Sequence, residues 1–284
     1  MNTIFLAFGA MICWGIGDFF IQKGTRKIGN VETLTWIGII GTLGLLPFVF
    51  KDFVHLTDTG NLLMLSALGL ITFFAAIANF EALKQGKLSV VEILLEIELP
   101  VTIALAFIFF KESFSILQYV LVVGILCGIV LIATKSFSHW KTKLEKGVFL
   151  AILAAVLMGI VDFLTAVSSK QISPLLAVWF AWVFFTILCI VILIKRNSFK
   201  TFVYDAKKFW IIILVMGIFD TLAWVFYSYA FYYHEIAITT AITESYPAIA
   251  LLLGIIFNKE RILWHQAVGI ILAFVCGIVL ATTI

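Results

Sequence analysis

Eight carboxylates stand within or at the edges of long apolar runs: Asp18, Glu81, Glu92, Glu96, Glu98, Asp162, Asp220 and Glu244. An ionised carboxylate inside a bilayer costs about 3 kcal/mol on insertion scales, so such residues mark ion or substrate pathways by default. No Lys or Arg is predicted at comparable depth to pair with them. Acids without basic partners have two stable arrangements: they hold protons, or they face a water-filled cavity that binds cations.

Their neighbours narrow the chemistry. Asp220, Trp224, Tyr227 and Phe231 follow one another at helical spacing, which lines one acid and three rings along a single stripe. An acid beside aromatic faces suits an ammonium group, because ring quadrupoles attract cations most strongly where water is excluded. In a chain with 28 Phe, 8 Trp and 7 Tyr, such a stripe also fits an interfacial belt or chance. Trp14, Asp18 and Gln22 share another face, one turn apart. Glu92 and Glu96 share a face, whereas Glu98 is turned about 200° from Glu96 on a regular helix, so one of the three is expected to contact another helix. Pro100 and Pro247 deprive the carbonyls of Glu96 and Thr243 of their usual donors and predict kinks near midspan. The freed carbonyls could face a cavity, or the kinks could serve packing alone.

The elements that must carry these residues are transmembrane helices. The chain is 63% hydrophobic and 12% charged with a mean hydropathy of +1.16, where soluble proteins have about a quarter of their residues charged. Apolar runs able to cross a core of about 30 Å occur at roughly 3–22, 32–50, 62–83, 88–110, 115–134, 147–169, 174–194, 210–232, 235–257 and 264–283. They are continuously apolar, unlike the alternating strands of a β-barrel. The first run holds Asp18 and lacks a basic leader, which fits a first span rather than a cleaved signal. Cys13, Cys127, Cys189 and Cys276 fall inside spans without C-x-x-C spacing, and the four histidines are scattered, so no disulfide framework, metal site or catalytic residue is expected. No nucleotide-binding loop or other cofactor motif is present.

The spans fall into two copies. Cys127-Gly128-Ile129-Val130-Leu131 recurs as Cys276-Gly277-Ile278-Val279-Leu280, and Gly15-Ile16-Gly17-Asp18-Phe19 aligns with Gly159-Ile160-Val161-Asp162-Phe163. Asp18 and Asp162 thus hold matching positions, as a pathway pair or gate, or as helix-packing groups. Of the 19 Lys and Arg residues, 16 lie in odd-numbered loops, which the positive-inside rule places in the cytoplasm with both termini outside. The net charge of +3 therefore reports orientation, and no nucleic-acid partner is expected. Five helices per copy force the second copy to enter the membrane the other way round. The expected fold is an all-α integral membrane protein of ten transmembrane helices in two inverted five-helix repeats, 1–140 and 141–284.

In each copy a helix with a proline is followed by a short turn with a glutamate and a final helix with Gln and Gly. These are Pro100, Glu112, Gln118, Gly124 and Gly128, then Pro247, Glu260, Gln266, Gly269 and Gly277. In this the chain resembles the EamA family of the drug/metabolite transporter superfamily over its whole length. The resemblance implies ten helices in two repeats and export or import of small metabolites, without choosing among amino acids, cations and sugars. Glu112 and Glu260 match the motif and are expected to fix the turn before the final helix of each copy.

The expected function is secondary transport of a small-molecule substrate by alternating access, in the plasma (inner) membrane. Protons are a candidate coupling ion, since burial raises a carboxyl pKa towards physiological pH. The first substrate expectation is cationic or amine-bearing, with neutral or zwitterionic metabolites such as amino acids as the alternative. A distant alternative is an intramembrane enzyme acting on lipid, which would need a nucleophile with its base or a metal cluster at the membrane surface. One chain with two repeats can enclose a pathway, so a monomer suffices and an oligomer is compatible.

Overall fold

The computed structural model describes residues 3–110, 115–136, 143–232, 243 and 246–281. Its helices are α1 (Thr3–Ile28), α2 (Asn30–Val49), α3 (Thr59–Gln85), α4 (Leu88–Leu95), α5 (Glu98–Phe110) and α6 (Ile116–Ala133), then α7 (Val148–Gln171), α8 (Pro174–Lys195), α9 (Phe199–Tyr232), α10 (Tyr246–Asn258) and α11 (Trp264–Ala281). A 3₁₀ segment, Phe50–Thr57, continues α2, and a short antiparallel pair joins Thr134–Ser136 to Lys143–Leu144. Among the described residues six helices are long and apolar enough to cross a membrane, and three shorter apolar helices accompany them. The protein is an all-helical integral membrane protein.

Two boundaries depart from the sequence expectation. The stretch 88–110 is not one helix: α4 stops at Leu95 and α5 starts at Glu98, the break falling where Pro100 leaves the Glu96 carbonyl without its amide donor. Helix α9 begins at Phe199, eleven residues before the apolar run read from hydropathy, with a non-helical turn at Phe209. Its first turns carry Lys200, Asp205, Lys207 and Lys208, so hydropathy could not reveal them.

The contacts between copies follow the repeat. α1 packs on α9 and α3 packs on α7, while α2 meets α8 and α6 meets α11. The glycines that open the two matching G-I-x-D-F blocks explain two further contacts, α1 on α10 and α7 on α5. Gly15 sits against the Tyr246 carbonyl and Ile249, and Gly159 sits against the Glu98 carbonyl and Val101. Each glycine admits the backbone of a helix of the other copy, and the aspartate three residues on is aimed by that contact. The matching helices α1 and α7 run in opposite senses. α1 ends where α7 begins, because Gln22 near the end of α1 donates to Leu83 O (3.1 Å) and Gly147, just before α7, abuts the carbonyl of Ala82.

Gly128, in the first C-G-I-V-L block, has a packing reason. Small residues let membrane helices approach closely, and a Cβ on Gly128 would lie 2.8 Å from Gly269 O while one on Gly269 would lie 2.6 Å from Gly128 O. Backbone atoms cannot give way. Gly44 of α2, by contrast, has nothing within 4 Å of where its Cβ would stand. Gly128→Leu or Gly269→Leu should therefore force α6 and α11 apart at a cost of about 1–3 kcal/mol and lower the thermal midpoint of the purified protein. Gly44→Ala should leave it unchanged or slightly raised. Equal midpoints for all three variants would contradict the close crossing.

Candidate functional site

Between the two copies lies a cavity of about 70 Å³, lined from α1 by Trp14 and Asp18, from α5 by Glu98, from α7 by Asp162, from α8 by Trp182, from α9 by Asp220 and Trp224, and from α10 by Tyr246. Four carboxylates border one space, and among the described residues no Lys or Arg lines it. Asp18, Asp162 and Glu98 are each more than nine-tenths buried. Asp18 and Asp220 are held together by the close packing of α1 on α9, where Gly17 lies against the Asp220 amide.

The two carboxylates from α5 and α7 have hydroxyl donors. Tyr227 hydrogen bonds to Asp162, and the Tyr246 hydroxyl donates to Glu98 Oε1 at 3.5 Å. Glu98 and Tyr246 belong to different copies, so this contact is a meeting of the repeats at the cavity. Asp18 makes no hydrogen bond to another described residue. The Oδ1 of Asn79 and the Nε1 of Trp182, both on lining residues, are also buried without a partner among the described residues. Buried polar atoms are ordinarily satisfied, so these groups are available to a ligand or water.

The aromatic wall is continuous. Trp14 lies 5.0 Å from Tyr227, 5.3 Å from Trp224 and 5.6 Å from Tyr246 between ring centroids, and Trp224 meets Trp182 at 5.9 Å. These separations are those of favourable edge and tilted pairs, which hold the rings in place before any ligand arrives. The stripe read from Asp220 to Phe231, on α9, thus joins rings from three other helices. Phe231 is described only in its backbone, and Glu244 lies outside the described residues.

The acids of the broken helix part company. Glu98 lines the cavity. Glu96 turns to α11, where its Oε2 would stand 2.8 Å from a Cβ on Gly277. Glu92 is wholly buried, and neither of its oxygens has a hydrogen-bond partner among the described residues. Glu81 is not a cavity residue: it accepts from Asn30 and from Gln85 Nε2 (2.6 Å) at the Lys- and Arg-rich end of the bundle.

That basic end carries a network which the residue pattern alone missed. Glu260, expected to fix its own turn, reaches into the other copy and accepts the Leu88 and Ser89 amides, both at 2.9 Å, at the start of α4. A carboxylate there satisfies orphan amides and opposes the helix dipole. Asn258 Nδ2 donates to Gln22 Oε1 (2.7 Å), and Lys87 Nζ reaches Arg261 O (2.9 Å) and Glu145 (3.1 Å). Gln266 joins through Ile132 O (3.0 Å) and Glu145 (3.2 Å). Gln22 is thus one turn from the cavity and itself part of the closure. Glu112, the mate of Glu260, lies outside the described residues. Tyr246, Trp182 and Asn79 were also missed.

Comparison with known proteins agrees with this arrangement. A family model described as the EamA-like transporter family matches residues 1–134 and again 145–283. An uncharacterised protein of Methanocaldococcus jannaschii (MJ1333.1) is 26% identical over 141 residues, covering 48% of this chain and 96% of that one. The relative is thus about the size of one repeat. A crystal structure of a protein superposes with a TM-score of 0.68 at 13% identity, covering 99% of this chain and 96% of that one, and shares the fold. With the family matched in both halves, the chain belongs to the EamA-like transporter family.

Proposed function

We propose that the protein is a secondary transporter of a small amine-bearing or otherwise cationic metabolite, working by alternating access across ten spans, with α4 and α5 as halves of one broken span. The observation that carries this reading is the cavity wall: four carboxylates and a cluster of tryptophan and tyrosine rings, with no basic residue among the described residues. An ammonium group supplies the charge this wall lacks, and the rings add cation–π attraction away from water. At about 70 Å³ the cavity holds an ammonium head or a few waters, so a whole metabolite requires the helices to part. The Glu260 network ties the copies together at the basic end, which the Lys and Arg distribution assigns to the cytoplasm of a plasma (inner) membrane protein. This conformation is therefore one closed on the cytoplasmic side.

Coupling is assigned to protons, with Glu92 as the carrier. A wholly buried carboxyl without a hydrogen-bond partner is far costlier ionised than neutral, and Glu92 lies one turn beyond the amides that Glu260 holds. Opening the cytoplasmic end would bring water to it. Neutral or zwitterionic substrates remain the second reading, with the cavity carboxylates then serving only as proton carriers.

Four outcomes are expected. A thermal-shift screen of the purified protein against amines and other metabolites should yield stabilising amines. Asp18→Asn or Asp162→Asn should weaken the best of them by about tenfold or more, a charge-assisted hydrogen bond each. Undiminished affinity in both amides would remove the carboxylates from recognition. In proteoliposomes, Glu92→Gln should keep exchange of labelled amine but lose accumulation driven by a pH gradient; retained accumulation would overturn the assignment of Glu92. A reporter fused after Ile284 should be active outside the cytoplasm, and a cytoplasmic signal would reverse the topology.

A further inference from the structure

A second opening lies apart from the central cavity. A groove of about 850 Å³ runs along the seam between α3 and α7 and ends at the turn between α1 and α2. Its lower walls are apolar: Ile71, Phe74 and Ile77 from α3 face Leu150, Leu153 and Leu157 from α7. Phe74 and Leu153 are 55% and 43% exposed, so the groove is open sideways, where the bilayer lies. From Ile71 to Lys84 the groove follows α3 for 13 residues, or about 20 Å at 1.5 Å per residue. That is the depth of one leaflet: half of a hydrocarbon core of about 30 Å plus its headgroup layer.

The upper end is polar and carries both signs of charge. Lys84 and Arg196 are exposed cations with no carboxylate within ion-pair distance among the described residues. Beside them stand Glu32 and Glu81. The Oδ1 of Asn30 is buried there with no donor among the described residues, while its Nδ2 is engaged by Glu81. The end of the groove thus offers two cations for a phosphate, and two carboxylates with an unfilled carbonyl oxygen for a group that donates several hydrogen bonds.

We propose that this groove is a binding site for one zwitterionic glycerophospholipid whose headgroup bears a primary ammonium. Its phosphate lies on Lys84 and Arg196, its ammonium donates to Asn30 Oδ1, Glu32 and Glu81, and one acyl chain lies in the slot between α3 and α7. The charges of the groove end sum to zero, which matches a zwitterion better than an anionic headgroup. The acceptors favour a primary ammonium over a trimethylated one, which has no N–H to donate. The lipid would then be part of the seam between the two repeats. The site shares no residue with the central cavity, so the identity of the transported substrate does not enter the argument.

The test supplies the purified full chain in detergent with equal amounts of ethanolamine-, choline- and glycerol-headed phospholipids of identical acyl chains, and counts retained lipid by native mass spectrometry. The ethanolamine lipid should be retained about tenfold over each of the others. That preference should fall in Glu81→Gln and in the Lys84→Gln, Arg196→Gln pair. Leu153→Trp, which fills the slot and leaves the charges, should lower retention of all three lipids. These changes are at exposed or half-buried positions, and gel filtration verifies that each variant remains monodisperse. Equal retention of the three lipids by the parent, a preference for the glycerol headgroup, or a preference unchanged in the charge variants would each overturn the proposal.

Discussion

Burying several carboxylates in a bundle that spans a membrane, without a basic residue beside them, is the constraint around which the rest of the structure is arranged. Such groups cannot face lipid at acceptable cost, so every helix that carries one must turn it towards the interface of the two repeats. Asp18, Glu98, Asp162 and Asp220 come from four different helices and border one cavity. Aromatic rings close around them and tyrosine hydroxyls reach Glu98 and Asp162, which leaves the charge itself for a ligand or proton to balance.

Glycine makes that convergence possible. Gly15 and Gly159 each seat a helix against the backbone of the other repeat, and the aspartate that follows is thereby aimed inward. The same device serves the periphery, where Gly128 and Gly269 bring α6 and α11 together. Hydrogen bonding takes over at the basic end. There Glu260 holds the start of α4, on the helix that carries Glu92, so the closure and a buried acid without a hydrogen-bond partner among the described residues share one short helix. Two neighbouring features can in this way respond to one movement.

Much of this was legible in the residues. Blocks repeated 144 and 149 residues apart pointed to the duplication, and an odd number of helices per copy to inversion, in keeping with the opposite senses of α1 and α7. Asp18, Asp162, Asp220, Trp14 and Trp224 were visible as acids and rings on helical faces, and they do border one cavity. Other features were hidden for physical reasons. The separation of Glu98 from Glu92 and Glu96 depends on a break that periodicity on a regular helix does not describe. The first turns of α9 are amphipathic and charged, so hydropathy passed over them. Glu260 finds its partners 171 and 172 residues away, a contact that only the tertiary fold creates. The groove at α3 and α7 combines residues from four elements and has no local pattern at all.

The claim on which the account turns is that the aromatic and acidic cavity recognises positive charge. Trp14, Trp182 and Trp224 line it, so the intrinsic tryptophan fluorescence of the purified protein is its natural reporter. A series of alkylammonium ions titrated against alcohols of the same shape separates charge from apolar contact. The account predicts a saturable spectral change with the ammonium ions and none at equal concentrations of the alcohols. The same response to both series, or a response to the alcohols alone, would contradict it.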